Sequence, residues 1–382
     1  MFHISSGILA SRRKFILCLI LCVLMMVSLR TYYSSSFRTL PKYTNYKDTA
    51  LRKQYSSFHY TAPFFQPTVN YSSTKISKSQ PIGKYKKNGK ETIPYEKNFD
   101  INGTDIIVFL HMQKTGGSTF GRHLVFDLQL ERRCEKKLIK KNKKTKKRTC
   151  LRPSDDSEWL FSRFTTGWAC GLHADWTSLT ECVPQYFPLT NITRRYFYIT
   201  MLREPVARYL SEWKHVARGA TWDTSYLLCN GKKYDYTFCW AGENWSGVPL
   251  SEFMNCSTNM ANNRQTYMLA DLKKIGCDGS GMSFATAGKV MLESAKKNLQ
   301  EMVFFGLTER QKATQFLFEN SFNLKFNIDF FDRNDTYASS VNETEDIIHK
   351  IRQLNALDVD LYEYAVKLFN ERLNQTLRFS KS

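Results

Sequence analysis

The stretch DIIVFLHMQKTGGSTFGRHLV, residues 105–125, constrains the fold more than any other part of the chain. A continuous apolar run at 106–110 meets a loop with two adjacent glycines. A segment with Phe120, Leu124 and Leu128 at helical spacing follows. A short unbroken apolar run reads as a strand buried on both faces, the kind found in parallel sheets. Two further runs, YFYITML at 196–202 and MVFFGL at 302–307, have the same character and also precede helical segments. The alternation predicts an α/β fold, a parallel sheet flanked by helices. Residues 354–377 have amphipathic helical spacing and are expected to pack on that domain.

In such sheets ligands sit beyond the carboxyl ends of the strands. Gly116 and Gly117 let the backbone approach a ligand, and the helix start after them aims N–H groups and a partial positive charge at it. Lys114 adds a point charge, while Ser118 and Thr119 add hydroxyls. The lysine precedes the glycines, so the loop is an anion site without the order of a nucleoside triphosphatase loop. The second strand runs into LREPVARYLSEWKH, where Pro205 opens a helix with Val206, Tyr209, Leu210 and Trp213 facing inward. Arg203 and Ser211 form a second phosphate grip. Two grips at two strand ends fit a nucleoside 3′,5′-bisphosphate.

The formal charge of +20 predicts a polyanionic partner. Residues 15–29 form an uncharged run after Arg12, Arg13 and Lys14, which reads as a signal anchor with a cytoplasmic tail at 1–14. A cleaved signal peptide is the alternative, but the run lacks a small-x-small cleavage site. Residues 30–98 are rich in Ser, Tyr, Lys and Thr and read as a flexible lumenal stem, with a catalytic domain at 99–382. Eight cysteines follow the anchor, compatible with four disulfides in an oxidising compartment. Proximity in sequence suggests 134–150, 170–182, 229–239 and 256–277. Sequons begin at Asn70, Asn102, Asn191, Asn244, Asn255, Asn334, Asn342 and Asn374, so glycosylation is expected. A lumenal chain excludes nucleic acid as the polyanion. The lysine-rich insertion at 135–149 reads as a solvated loop whose inner end can reach an anionic substrate.

Several segments resemble the heparan sulfate 6-O-sulfotransferase family: FLHMQKTGGSTFGRHLV, WLFSRFTTGWACGLHADWTSLTECVP, YITMLREPVARYLSEWKHVARGATW, ANNRQTYMLADL and NLQEMVFFGLTERQKATQFLFENSFNLKF. The resemblance implies a fold related to nucleotide kinases, with a kinase-like phosphate loop. It implies 3′-phosphoadenosine-5′-phosphosulfate (PAPS) as donor, the glucosamine 6-hydroxyl of heparan sulfate as acceptor, no metal, and residence in the Golgi membrane. Carried onto this sequence, His111, Met112, Gln113, Lys114, Thr115, Gly116, Gly117, Ser118 and Thr119 cradle the phosphosulfate. Lys114 stabilises the leaving phosphate, and Arg203 with Ser211 holds the 3′-phosphate. Phe331, Asp332, Arg333, Tyr337 and Ala338 correspond to further donor contacts, although Tyr337 stands where an arginine is common. Lys146, Lys147, Arg163, Trp168, His215 and Trp222 match acceptor-binding positions.

Attack by a sugar hydroxyl needs a base. By residue chemistry His111, His123, His173 and His215 are the candidates, with His123 read as a packing or surface residue. The resemblance selects His173; the structural alternative is a neutral histidine between Trp168 and Trp176. Two other functions stay open. A glycosyltransferase is suggested by the D-x-D sequence at Asp358 and Asp360, and a catalytically inactive glycan-binding protein by the basic charge.

Overall fold

The computed structural model describes residues 99–136, 147–187, 193–240, 242–331 and 343–379. The anchor, the stem and the expected cytoplasmic tail lie outside the described residues. Among the described residues, no helix is long and apolar enough to cross a membrane.

In chain order, β1 (Ile106–Leu110) leads through the glycine loop to α1 (Gly117–Phe126), then β2 (Glu135–Lys136) and β3 (Arg148–Thr149). Next come β4 (Leu160–Phe161), α2 (Trp176–Tyr186), β5 (Tyr196–Leu202) and α3 (Pro205–Val216). A hairpin of β6 (Tyr226–Cys229) and β7 (Lys232–Asp235) precedes α4 (Leu250–Asn255) and α5 (Arg264–Leu269). The chain continues through α6 (Phe284–Glu301), β8 (Phe304–Leu307), α7 (Gln311–Phe322), α8 (Glu345–Leu354) and α9 (Ala356–Phe379).

The main sheet has the order β4-β1-β5-β8, with every pairing parallel. Ile106 lies opposite Tyr196, and Ile199 lies opposite Phe304. All of β1 is buried, as its unbroken apolar run requires. The three expected runs are therefore the three longest strands of this sheet. The two-residue edge strand β4 has too few residues to show a pattern. Because all four strands run the same way, the loops after β1, β5 and β8 open onto one edge.

The helix starts follow local chemistry. Pro205 occupies the first turn of α3, and the Glu204 carboxylate accepts from Ala207 N–H at 2.7 Å. Asp175 caps α2 by accepting from Ser178 N–H at 2.9 Å. The inward stripe of α3 includes Val206, Tyr209 and Leu210 as expected. The same helix also buries Arg208 and Glu212 completely. Their ion pair meets Asp358 of α9, whose Oδ2 lies 3.9 Å from Arg208 Nε. Asp358 also accepts from Gln265 N–H at 3.0 Å, Thr266 N–H at 2.7 Å and the Thr266 hydroxyl at 2.8 Å. It is a buried cap of α5, and Asp360 is exposed. The D-x-D sequence therefore does not present a pair of carboxylates to a metal, which removes its support for a glycosyltransferase.

Four disulfides join the eight cysteines between residues 134 and 277. Cys134–Cys150 and Cys170–Cys182 pair as expected. The other two expected pairs are corrected to Cys229–Cys277 and Cys239–Cys256. The β6–β7 turn is responsible: Asn230 and Gly231 both take positive φ and reverse the chain directly after Cys229. Cys229 is thereby held beside the segment that carries Cys277, whose Sγ lies 3.4 Å from Asn230 Nδ2. The sequon asparagines Asn102, Asn244, Asn255 and Asn374 are all exposed. Asn70, Asn191, Asn334 and Asn342 lie outside the described residues.

Two outcomes are expected. Non-reducing peptide mapping recovers the 229–277 and 239–256 links, and Cys229→Ser costs about 4 kcal/mol because the bridge closes a long loop. Asp358→Ala strands Arg208 and the α5 start, lowering unfolding free energy by roughly 3 kcal/mol or more in urea titration.

Candidate active site

The loop after β1 is shaped by its backbone. Lys114 has φ 63° and Gly116 has φ 74°, so the chain curls before α1 begins. Thr115 is fully buried. Its carbonyl accepts from the Thr308 hydroxyl of the β8 loop at 2.7 Å. Gly117 has no room for a side chain, since a Cβ there would lie 2.3 Å from His111 Cδ2. No side chain caps α1, so its first N–H groups remain for a ligand. Ser118 and Thr119 are exposed at that start, whereas Met112 is core.

His173 sits in the turn before α2 with φ 51°, a left-handed conformation that costs a non-glycine residue about 1–3 kcal/mol. Its Nδ1 lies 2.8 Å from the His111 carbonyl. A carbonyl only accepts, so Nδ1 carries the proton and Nε2 keeps its lone pair. The ring stacks on His111 at 4.9 Å and leans on Trp168 at 4.6 Å. Trp176 instead pairs with Tyr198 at 4.8 Å, so the Trp168–Trp176 sandwich of the structural alternative does not form. His111, Arg163, Trp168 and His173 line a small cleft beside the loop.

Arg163 joins the cleft to the loop, donating to the Ser118 hydroxyl at 2.8 Å with its guanidinium 5.1 Å from the Trp168 ring. Trp168 is 38% exposed, open enough to meet a sugar face. Lys147 donates to the Thr166 carbonyl at 3.4 Å, which brings the inner end of the basic insertion to the same side. Trp222 is different: it is 5% exposed and donates to Glu212 Oε1 at 3.2 Å, a core residue rather than an open sugar platform. His123 bonds Asp127 at 2.7 Å and stacks on Phe330, a packing residue as read from sequence.

The second grip also forms part of this edge. Arg203 is buried at the end of β5, and its Nη1 donates to the Lys114 carbonyl at 3.2 Å. Ser211 is buried on α3, and His215 is exposed one turn later. Phe331 is exposed, while Lys146, Asp332, Arg333, Tyr337 and Ala338 lie outside the described residues. Sequence reasoning passed over Arg264 and Gln265. Both are buried, and Arg264 Nε donates to Gln113 Oε1 at 3.0 Å. Both lie in the family-like segment ANNRQTYMLADL, where a polar run directly before an apolar helix gives no sign of their burial.

The electrostatics favour neutral imidazoles and an anionic ligand. Burial pushes His111 well below the usual imidazole range, helped by His173 and Arg163. Burial also brings His173 down to about 3, against the raising effect of its bond to the His111 carbonyl. Lys114 is lowered, first by burial, with Glu212 opposing and Arg218 and Arg203 assisting. His215 is lowered by its surroundings and then by Lys114. Gln113 Nε2, Arg264 Nη1 and His111 Nδ1 are buried polar atoms without a hydrogen-bond partner. An uncapped helix start, these atoms and the cations Lys114, Arg163 and Arg203 fit a ligand with phosphate-like groups.

A parallel sheet whose strand ends carry such a loop defines a class, and a model of the sulfotransferase family matches residues 97–365. The chain is 53% identical to human heparan-sulfate 6-O-sulfotransferase 1 over 285 residues, covering 72% of this chain and 68% of that one. Mouse heparan-sulfate 6-O-sulfotransferase 3 is 53% identical over 289 residues, covering 73% of this chain and 60% of that one. Human heparan-sulfate 6-O-sulfotransferase 2 is 53% identical over 284 residues, 72% of this chain and 46% of that one. The chain belongs, within the sulfotransferases, to the heparan-sulfate 6-O-sulfotransferase family. It spans about 60% of the length of the type 3 relatives it matches.

A pH effect follows from His173. Its folded pKa of about 3 lies below the ordinary 6.5, so acid protonates the unfolded chain first. The resulting stability is complete above pH 6.5 and is lost as pH falls toward 3. At pH 5 the loss from this residue is about 2 kcal/mol. Urea unfolding at pH 8 and pH 5 should show the wild type losing about that much more than a His173→Gln variant.

Proposed function

We propose that this protein transfers a sulfuryl group from PAPS to the 6-hydroxyl of glucosamine residues in heparan sulfate. The observation that carries the reading is the His173 Nδ1–H bond to the His111 carbonyl. It leaves a neutral Nε2 in a cleft directly beside the phosphate loop. The donor supplies an activated sulfuryl group joined to phosphate. In the proposed step the acceptor oxygen bonds to sulfur as the sulfur–phosphate oxygen bond breaks. His173 Nε2 takes the hydroxyl proton, and Lys114 with the α1 N–H groups meets the negative charge left on phosphate.

The remaining residues bind and orient. The loop from His111 to Thr119 cradles the 5′-phosphosulfate, and Arg203 with Ser211 takes the 3′-phosphate. Lys147 and Arg163 pair with acceptor anions, Trp168 offers a ring face to a sugar, and His215 extends that side, while the buried Trp222 supports it from the core through its bond to Glu212. Lys146, Phe331, Asp332, Arg333, Tyr337 and Ala338 belong to the same proposal on the resemblance alone. No metal is needed, since fixed cations and N–H groups supply the charge. We place the protein as a glycosylated single-pass type II protein of the Golgi membrane with its catalytic domain lumenal. The basic-flanked run at 15–29, the sequons and four disulfides support that reading.

The test supplies the purified full-length chain with labelled PAPS and heparan sulfate lacking 6-O-sulfate, followed by disaccharide analysis. Label at glucosamine C6 is expected, and label elsewhere rejects the regiochemistry. Glycan binding without label returns the inactive binding protein. His173→Ala should lower turnover by roughly 100-fold or more with adenosine 3′,5′-bisphosphate binding retained. Arg203→Ala should chiefly weaken nucleotide binding, seen by calorimetry.

A further inference from the structure

The two phosphate-binding loops come from different strands, yet two consecutive side chains of a third segment hold both. Arg264 Nε donates to Gln113 Oε1 at 3.0 Å, inside the loop after β1. Gln265 clasps the backbone of Arg203 after β5: its Oε1 accepts from Arg203 N–H and its Nε2 donates to Arg203 C=O, each at 2.9 Å. Both side chains are 1% exposed. Arg203 closes the circuit by donating to the Lys114 carbonyl at 3.2 Å.

The pair is itself held rigidly. Asp358 accepts from the Gln265 and Thr266 N–H groups. Asn263, at φ 47°, donates its N–H to Asn355 Oδ1 at 3.1 Å and accepts from Leu357 N–H at 3.0 Å. Arg264 bonds Gln113 and Tyr236, yet its Nη1 and the Gln113 Nε2 beside it are buried donors without partners among the described residues. Such groups cost stability, and an apolar side chain of the same size fills the space without that cost. Their placement at the base of the loop makes sense if they hold the loop in register for an anionic ligand.

We propose that Arg264 and Gln265 are a positioning pair that sets the separation of the two phosphate grips. Arg264 acts through Gln113 on the 5′ end of the donor, and Gln265 acts through Arg203 on the 3′ end. The inference rests on the donor assignment made above and gives both residues a role carried through Gln113 and Arg203.

Calorimetric titration of adenosine 3′,5′-bisphosphate and adenosine 5′-monophosphate into the full-length chain tests it. The wild type prefers the bisphosphate, because only that nucleotide reaches Arg203. In Gln265→Met, which keeps the length but loses both bonds, that preference falls about tenfold while monophosphate affinity stays within about twofold. In Arg264→Lys both nucleotides weaken by the same factor and the preference survives, since they share the 5′ end. An unchanged preference in Gln265→Met, or an equal loss for both nucleotides there, overturns the proposal. A selective loss of the bisphosphate in Arg264→Lys does the same. Should Gln265→Met not fold, Gln265→Glu keeps the acceptor for Arg203 N–H, loses the donor to its carbonyl, and is read by the same criterion. A wild type without any preference removes the donor assignment itself, and the inference with it.

Discussion

Much of the site hangs on one buried ionic cluster, Arg208 and Glu212 of α3 with Asp358 of α9. Three charges fully withdrawn from water are tolerated only when each is paired and hydrogen-bonded. Arg208 meets both carboxylates and the Ala261 carbonyl. Glu212 accepts from Trp222, and Asp358 takes the three donors at the start of α5. The cluster thus ties the helix after the second phosphate loop to the C-terminal helix and to the segment that braces both loops. Its electrostatic reach extends further, since Glu212 acts on Lys114 and His215.

From that frame the geometry of the candidate site is largely backbone work. The His111 carbonyl selects the tautomer of His173, and Gly117 keeps room for the His111 ring. The Lys114 and Thr115 carbonyls receive Arg203 and Thr308 from the neighbouring strands. Lys114 and His173 both adopt positive φ without being glycine, a strain that the surrounding contacts must hold in place.

Much of the site was legible because it lies in contiguous sequence. The glycine loop and the strand–Arg203–Pro205 turn carry their own local rules, whereas His173 in the Cys170–Trp176 turn was singled out by the family resemblance. Arg264, Gln265 and Glu212 escaped notice for a different reason. A polar residue next to an apolar helix, or an Arg–Glu pair at i, i+4, reads as surface unless burial is known. The fate of Asp358 was hidden in the same way, because a helix pattern does not reveal which of two aspartates points inward to cap another helix.

The sequence by itself determined the parallel α/β sheet, the glycine loop between β1 and α1, the family and two of the four disulfides. Each of these depends on neighbours close along the chain, where periodicity and turn chemistry decide. Only the tertiary structure decided the remaining disulfides, the partners of His173, the burial of Trp222 and the Arg264–Gln265 brace. These depend on groups far apart in sequence, and the energy of such contacts comes from desolvation and hydrogen bonding that exist only once the chain has closed around them.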